Sequence, residues 1–452
     1  MLALHSPPVM GFPASSKRPI VSETLVGGLG IGPKVWLFLA LLSCLTLFFK
    51  FSRFWSVRNL DLVLLFALGP AMVRLVASGY PYPWWAFFWL MVGSTMWLAR
   101  CFVDLALVRR PVLEPNLNNA GLACMGIGVL GLLLVETVDL AASSGKERNP
   151  AVLSSSSETP EGPLFGSADL EAPVKKALDQ SPLPESLKRS PLQIVLARVL
   201  AVLSHLTIVL GMYRIGERHF EQRTAGLAAA TCYLLLPYTR IAVVDSGQLF
   251  ASALIVLALS MYTRPILCAL LIGLATSWMP ACLGLIPVWA GFHRGSRSAW
   301  IFLLTSLGTL AFAHGLAAFT PGVGDWAHAL LARSLAEAGL RPLLEVVPQG
   351  NSFWSGIDPV FRLPVLIAYG AFVIFYGFWP WRKDLAALIA QSAAVLVSSQ
   401  YWFLDGGGTL IMIYLPLLLL MMFRPGRIAM RAPRERRRSA LSSSGSGLAP
   451  TT

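Results

Sequence analysis

Long runs of apolar residues separated by short polar connections are the dominant pattern in this chain of 452 residues. A run of about 20 apolar residues can cross the hydrocarbon core of a bilayer as a helix. Lipid offers the backbone no hydrogen-bond partner, so helices rather than isolated strands satisfy the peptide groups of such runs. We therefore expect an all-α, polytopic membrane protein with about 12–13 transmembrane segments. The predicted spans are residues 35–49, 60–78, 84–107, 120–137, 192–213, 224–239, 246–262, 265–292, 300–318, 361–380, 385–403 and 409–423.

The polar segments between and beyond these runs predict the domain organisation. Residues 140–190 are rich in Ser, Pro, Glu and Lys, a composition that does not support a packed core. Residues 319–360 mix Gly, Pro, Trp and charged residues, and a short helix is expected within them at 326–338. The predicted order is an N-terminal tail (1–34), additional N-terminal transmembrane helices (35–118), a transmembrane core (119–318) with an outer loop (140–190), a second outer loop (319–360), C-terminal transmembrane helices (361–423) and a basic, disordered tail (424–452).

The charge of the chain favours a membrane location over nucleic-acid binding. Only 13% of the residues are charged, whereas average soluble proteins have about 25%. The formal net charge of +13 comes from Lys and Arg in short turns and in the tail, as the positive-inside rule describes. We expect a multi-pass protein of the cell membrane with a cytoplasmic C-terminus, with membrane lipids as partners and no nucleic acid. The side of the N-terminus stays open, because Lys34 and Lys50 flank the first run.

Residues 265–292 break the regular alternation between the two sides. Arg264 precedes this apolar run and Arg294 follows it, and both are expected on the cytoplasmic side. A single straight span cannot have both of its ends on one side. The pattern therefore predicts two short helices or a re-entrant hairpin, with a turn at residues 277–280.

Ionisable residues within or beside apolar runs are candidates for a functional site, since charges at bilayer depth are costly. Arg198 lies within an apolar run and His205 follows seven residues later, so a helix places both on one side. Two interpretations stay open: either Arg198 reaches the outer headgroups and His205 is a core histidine, or both line a site. Arg100 and Asp104, near a predicted helix end, are expected to have a structural role. The six cysteines show no CxxC pair or Cys/His metal spacing, so no metal site is predicted.

A series of short motifs begins at Arg198. In order they are Arg198 near the start of a helix, Tyr-Arg-Ile-Gly-Glu-Arg at 213–218, Arg-Thr-Ala-Gly at 223–226, Leu-Pro at 236–237, Asp-Ser-Gly-Gln at 245–248, and an apolar stretch with Gly-Leu-Ala and two prolines at 273–287. This order of helices and turns resembles the GT-C superfamily of integral membrane glycosyltransferases, nearest its mannosyl- and arabinosyltransferase-like branch. The resemblance implies a GT-C-like transmembrane core.

Enzymes of this superfamily move a sugar from a polyprenyl-phosphate carrier to an acceptor on the outer side of the membrane. The resemblance implies that Glu136 or Asp139, at the end of the helix before the outer loop, is the catalytic carboxylate. The substrate-binding residues that it implies are Arg198, His205, Asp245 and Gln248. The donor is then a polyprenyl-phosphate sugar, the acceptor is a glycan, lipid or protein, and no cofactor is identified.

The chain departs from the superfamily in two ways that leave other functions open. Its outer loop lacks the usual pair of acidic residues, and residues 277–279 are Ser-Trp-Met where many relatives have a lysine before the proline. Glu136 and Asp139 can equally form an acidic stop to a helix at the interface. A transporter or lipid-handling membrane protein, and a catalytically inactive GT-C-like scaffold, are therefore the alternatives. A transporter needs a polar path to the cytoplasmic side, and a scaffold needs no outer carboxylate.

Overall fold

The computed structural model describes a bundle of helices. The described residues are 33–78, 84–106, 115–143, 191–243, 245–294, 297–319, 353–354, 357, 359–381, 383–403 and 408–425. All regular structure in these ranges is helical, as the apolar pattern predicts. The predicted short helix at 326–338 and most of the two outer loops lie outside them.

The helices follow the predicted apolar runs closely. They are α1 (Pro33–Phe48), α2 (Val57–Ala67), α3 (Gly69–Ser78), α4 (Trp84–Ala106), α5 (Asn119–Ser143), α6 (Pro191–Arg218), α7 (Arg223–Leu235), α8 (Pro237–Ile241), α9 (Ser246–Ser260), α10 (Pro265–Trp278), α11 (Leu285–Phe292), α12 (Arg297–Phe319), α13 (Arg362–Phe378), α14 (Leu385–Ser399) and α15 (Ile411–Phe423).

Two predicted spans are divided in the structure. The run 60–78 forms α2 and α3, which are separated at Leu68. The run 224–239 forms α7 and then the short α8, because Leu236 is extended and Pro237 opens a new helix. A proline lacks the N–H that would continue the preceding helix, so it starts the next one.

The helices pass back and forth between two ends of the bundle. At the Arg424 end, the rings of Phe48 and Phe423 lie 5.3 Å apart, which brings the ends of α1 and α15 together. The opposite end, which we call the Asp245 end, holds the start of α1. There the Arg240 guanidinium of α8 lies 4.2 Å from the centroid of the Trp36 ring. The helix α1 therefore runs from the Asp245 end to the Arg424 end, where α15 also ends.

A glycine contact sets the close crossing of α6 and α7. A Cβ atom added to Gly216 would lie 2.3 Å from the Cα atom of Gly226. That separation is far below van der Waals contact, so only glycine at both positions permits this approach. The two glycines fall in the motifs at 213–218 and 223–226, and the structure gives them a packing role.

Residues 265–292 leave the Arg424 end and return to it. The ring of Tyr262, just before α10, contacts the ring of Phe292 at the end of α11, with 5.9 Å between centroids. Between them, Trp278 reaches the start of α9, where its indole Nε1 donates to the Gly247 carbonyl at 3.0 Å. The helix α10 rises about 21 Å, and the 3₁₀ turn Pro280–Gly284 with α11 covers about the same length back. Both ends of the segment therefore lie at one end of the bundle, as the flanking arginines predict.

Apolar side chains fill the interior of the bundle and also cover much of its outside. The helices α7, α14 and α15 are buried along nearly their whole length. By contrast, α12 and α13 expose large apolar side chains, among them Trp300, Leu304, Ile367 and Phe375. Among the residues that the structure describes, three helical stretches are long and apolar enough to cross a membrane: Trp84–Ala106, Arg198–Arg218 and Arg297–Gly315.

Candidate functional site

The predicted carboxylates lie on the last turns of α5, and Arg198 reaches the same place. Glu136 and Asp139 belong to the described backbone of α5, while their side chains lie outside the described part. The Arg198 Nη1 atom of α6 lies 3.4 Å from the Thr137 carbonyl oxygen, a long hydrogen bond. Thr137 stands between the two acidic positions, so the structure brings the Arg198 guanidinium to the segment that carries both.

His205 is a buried histidine of the bundle interior. Its Nδ1 atom is 2.9 Å from the Tyr233 hydroxyl of α7. Its ring also lies within hydrogen-bonding reach of the Val243 backbone. These contacts hold the imidazole between α6, α7 and the connection to α9. The core interpretation of His205 is therefore the one that its surroundings support.

Asp245 and Gln248 act together at the start of α9. The Asp245 Oδ1 atom accepts a hydrogen bond from the Gln248 backbone N–H at 3.3 Å, which makes Asp245 the N-cap of the helix. The Gln248 side chain returns a hydrogen bond to the same carboxyl. Burial raises the pKa of Asp245 to about 6, although the hydrogen bonds from Gln248 and Gly247 oppose that rise. Asp245 thus has a structural role that its spacing to Gln248, typical of a capping box, could have predicted.

The tip of the α10–α11 hairpin covers this capped helix start. The Trp278 ring packs edge-on against the Phe250 ring of α9, with 4.6 Å between centroids. Trp278 occupies one of the positions where the resemblance implies a lysine. The structure therefore places an indole, rather than an ammonium group, beside Asp245 and Gln248.

The candidate residues form two groups. His205 and the Asp245–Gln248 cap are joined through the connection that contains Val243. Arg198 lies seven residues from His205 along α6, about 10 Å nearer the start of that helix. The structure therefore brings Arg198 to the acidic segment at the end of α5, and His205 to Tyr233 and the Val243 backbone.

A charged cluster at the Arg424 end joins Arg100 and Asp104 to two partners that the sequence did not predict. Arg100 of α4 contacts both Asp61 carboxylate oxygens, at 2.5 Å and 2.8 Å. Its Nη1 atom is 3.0 Å from Asp104, one helical turn further along α4. The second Asp104 oxygen accepts a hydrogen bond from Arg424 at 2.5 Å. This four-residue network, which we call the Asp104 network, joins α2, α4 and the end of α15.

Only part of that cluster had a signal in the sequence. Arg100 and Asp104 are four residues apart, a spacing at which oppositely charged side chains on a helix can pair. Asp61 and Arg424 come from distant parts of the chain, and only the folded bundle brings them to this pair. Within the described ranges, no group of three or more His, Cys, Asp or Glu side chains could hold a metal ion.

No family model, curated protein or solved structure matches this chain. Its own residues therefore carry the functional argument.

Proposed function

We propose that this chain is a multi-pass membrane protein with a GT-C-like core, which transfers a sugar from a polyprenyl-phosphate donor to an acceptor at the Asp245 end. The membrane part rests on the apolar runs and on the exposed apolar faces of α12 and α13. Large apolar patches on a protein surface mark contact with a membrane or with another protein. The Asp245 end faces the outer side in this proposal, because Arg264, Arg294 and Arg424 lie at the other end.

One observation carries the enzymatic part: the approach of Arg198 to the segment of α5 that bears two carboxylates. A sugar on a lipid phosphate is already activated at its anomeric carbon. An acceptor hydroxyl needs a general base, and Glu136 or Asp139 supplies a carboxylate for that role. The departing lipid phosphate needs hydrogen-bond donors, and a guanidinium can offer two parallel N–H groups to phosphate oxygens.

The remaining candidate residues, which are buried in the bundle, position the helices around the site. His205, held by Tyr233, supports the middle of α6, on which Arg198 stands. The Asp245 cap fixes the start of α9, and Trp278 covers it. In this proposal the acceptor is a glycan, a lipid or a protein, and these residues position the helices around the site.

Sugar transfer in membranes that contain the full chain tests the proposal. Radiolabelled polyprenyl-phosphate sugars are the donors, and wild type is compared with the double variant Glu136→Gln, Asp139→Asn. The amides keep the shape but cannot accept the proton, so we expect a loss of about 10²–10⁴-fold in rate. Arg198→Lys should also lower the rate, because an ammonium group cannot reproduce the bidentate contact.

Glu217→Gln is the matched control, since Glu217 is a carboxylate near the end of α6 that pairs with Arg223 far from the proposed site. This variant should transfer sugar at the wild-type rate. Equal transfer by wild type and by the double variant would reject Glu136 and Asp139 as the base. A wild type that transfers nothing across a broad panel of donors would reject the enzymatic proposal and favour the inactive scaffold.

A further inference from the structure

A second cationic group lies at the Arg424 end, on the outside of the bundle. Arg294 follows α11 and is exposed, and its guanidinium carbon lies 3.7 Å from the centroid of the Trp381 ring. The Phe378 ring lies on another side, 5.0 Å away. One guanidinium N–H points to the Phe378 carbonyl at 3.5 Å, the upper limit for a hydrogen bond. The aromatic rings thus hold the guanidinium in a fixed position.

Lys383 lies on the buried side of this arginine, where it contacts the same last turn of α13. Its side chain is buried, and its Nζ atom donates to the carbonyls of Val288, at 3.1 Å, and Gly377, at 3.3 Å, as well as to Tyr376. These carbonyls belong to α11 and to the last turn of α13. Burial, and then the charge of Arg294, lower the pKa of Lys383 to about 7. We call the group of Arg294, Phe378, Trp381 and Lys383 the Arg294 corner.

The corner contains two basic groups and no acidic partner among the residues that the structure describes. None of the ion pairs in this part of the chain involves Arg294 or Lys383. The neighbouring Asp384 is engaged elsewhere, because its Oδ1 atom caps α14 by accepting from the Ala387 N–H at 2.7 Å. Its charge also acts on Arg424. The positive potential of the corner is therefore not cancelled locally.

Apolar surface flanks the corner along the bundle. The short α11 packs between α12 and α13, and both of these longer helices expose large apolar side chains. On α12 these include Trp300 and Leu304, and on α13 they include Ile374 and Phe375. Trp379 and Trp381, both about half or more exposed, stand at the polar boundary of this surface. Tryptophans in such positions are typical of the boundary between acyl chains and headgroups.

From this arrangement we propose that the Arg294 corner binds the phosphate of an anionic phospholipid, with the acyl chains along α12 and α13. A basic pocket between membrane helices on the cytoplasmic side is a known form of headgroup recognition. The apolar surface beside the corner favours a lipid over soluble phosphate, since soluble phosphate gains nothing from it. This proposal rests on the membrane part of the proposed function and is independent of sugar transfer.

The experiment is lipid titration of the purified full chain in a neutral detergent. Native mass spectrometry counts bound phosphatidylglycerol, and phosphatidylcholine of the same acyl length serves as the zwitterionic reference. We expect wild type to bind the anionic lipid more tightly, and Arg294→Gln to weaken this binding about tenfold or more, the scale of one lost charge-assisted hydrogen bond. Trp381→Leu should weaken it less, because it removes the ring that holds the guanidinium and keeps the charge.

Arg264→Gln is the matched control, because Arg264 is also an exposed arginine at the Arg424 end, just before α10. This variant should bind phosphatidylglycerol as wild type does. Equal weakening in Arg264→Gln and Arg294→Gln would overturn the proposal in favour of bulk charge. Inorganic phosphate that competes fully at millimolar concentration would also overturn it, in favour of a soluble anion. A chain that needs no detergent to leave the membrane fraction would instead reject the membrane part of the proposed function.

Discussion

The Asp104 network and the Arg294 corner both place basic side chains at the Arg424 end, but they neutralise them differently. In the network, Arg100 pairs with Asp61 and Asp104, and Arg424 pairs with Asp104. In the corner, Lys383 is surrounded by carbonyls and Arg294 by aromatic rings. The first arrangement pairs each guanidinium with a carboxylate, whereas the second contains no carboxylate partner among the described residues.

This difference separates a structural role from a binding role. Burying an ion is costly, and a nearby opposite charge with good hydrogen bonds offsets that cost. The network meets this condition and joins three helices that are far apart in the sequence. In the corner, backbone carbonyls and aromatic rings stabilise the two cations instead. These groups carry no negative charge, so the positive potential of the corner extends to its surface. A charged residue within an apolar bundle thus suggests a ligand only after its partners are known.

Breaking the Asp104 network should produce the largest change in stability. Asp104→Ala leaves Arg100 with one carboxylate and removes the carboxylate that holds Arg424. Removing one partner of a buried ion pair costs about 3–5 kcal/mol, because the remaining charge stays buried. Thermal or denaturant unfolding of the purified chain in detergent measures this change.

The exposed pair of Glu217 and Arg223 provides the control for that variant. Its nitrogen–oxygen distance is 2.9 Å, but both side chains are exposed to a much greater extent. Glu217→Ala should therefore change the free energy of unfolding by about 1 kcal/mol or less. If the two alanine variants lose stability equally, the Asp104 network has no special role.

A smaller loss should follow from crowding the Arg294 corner at Gly291. A Cβ atom there would lie 1.9 Å from the Gly377 carbonyl oxygen and 2.8 Å from the Lys383 Nζ atom. Gly291→Ala must push α11 away from α13, and such overpacking typically costs about 1–3 kcal/mol. The same unfolding measurement applies, together with lipid binding at the displaced corner.

Gly308→Ala in α12 is the comparison for this variant, since a Cβ atom at Gly308 meets no atom within 4 Å. Alanine in an open helical position should be neutral or stabilising by about 0.5–1 kcal/mol. The packing explanation fails if Gly291→Ala is as stable as Gly308→Ala.

Lys383 should give the smallest effect, and it depends on pH. The pKa of its amine is about 7 in the folded chain, below the ordinary value of 10.5, so the unfolded chain binds the proton more tightly. The free energy of unfolding should therefore rise as the pH increases from about 7 towards 10. We expect a rise of about 1 kcal/mol over the first pH unit above 7, close to the slope that one bound proton gives.

Lys383→Met should remove this rise, whereas Lys34→Met, at an exposed position in α1, should keep it. Unfolding midpoints in detergent at several pH values make the comparison. The same pH dependence in wild type and in Lys383→Met would show that another group causes it.

The sequence predicted the helices well because each apolar run is long and its ends are marked by charged residues or proline. Arg264 and Arg294 even indicated the return of 265–292, since the basic turns had to share one side. The division at Leu68 was missed, although Gly69 and Pro70 follow it and mark the start of a helix. The spacing of Asp245 to Gln248 predicts a capping role, whereas the family resemblance implied substrate binding.

The partners of the charged residues could not be predicted from the sequence. Arg100 finds Asp61 across 39 positions, and Arg424 finds Asp104 across 320 positions, so only tertiary packing makes these pairs. The Arg294 corner likewise forms only where the connection after α11, which carries Arg294, meets the connection after α13, which carries Trp381 and Lys383. Glu136 and Asp139 remain predictions, because the approach of Arg198 fixes the place of their segment and not the roles of their side chains.

The returning segment 265–292 also has a consequence for how the chain can be rebuilt. A segment that starts and finishes at the same end contributes an even number of passages, so the helices after it keep their directions whether or not it is present. Arg264 and Arg294 could be joined by a short turn without inverting α12 to α15. The hairpin is therefore a cassette in the topological sense: its removal would alter the packing around Gly247 and leave the polarity of everything downstream unchanged.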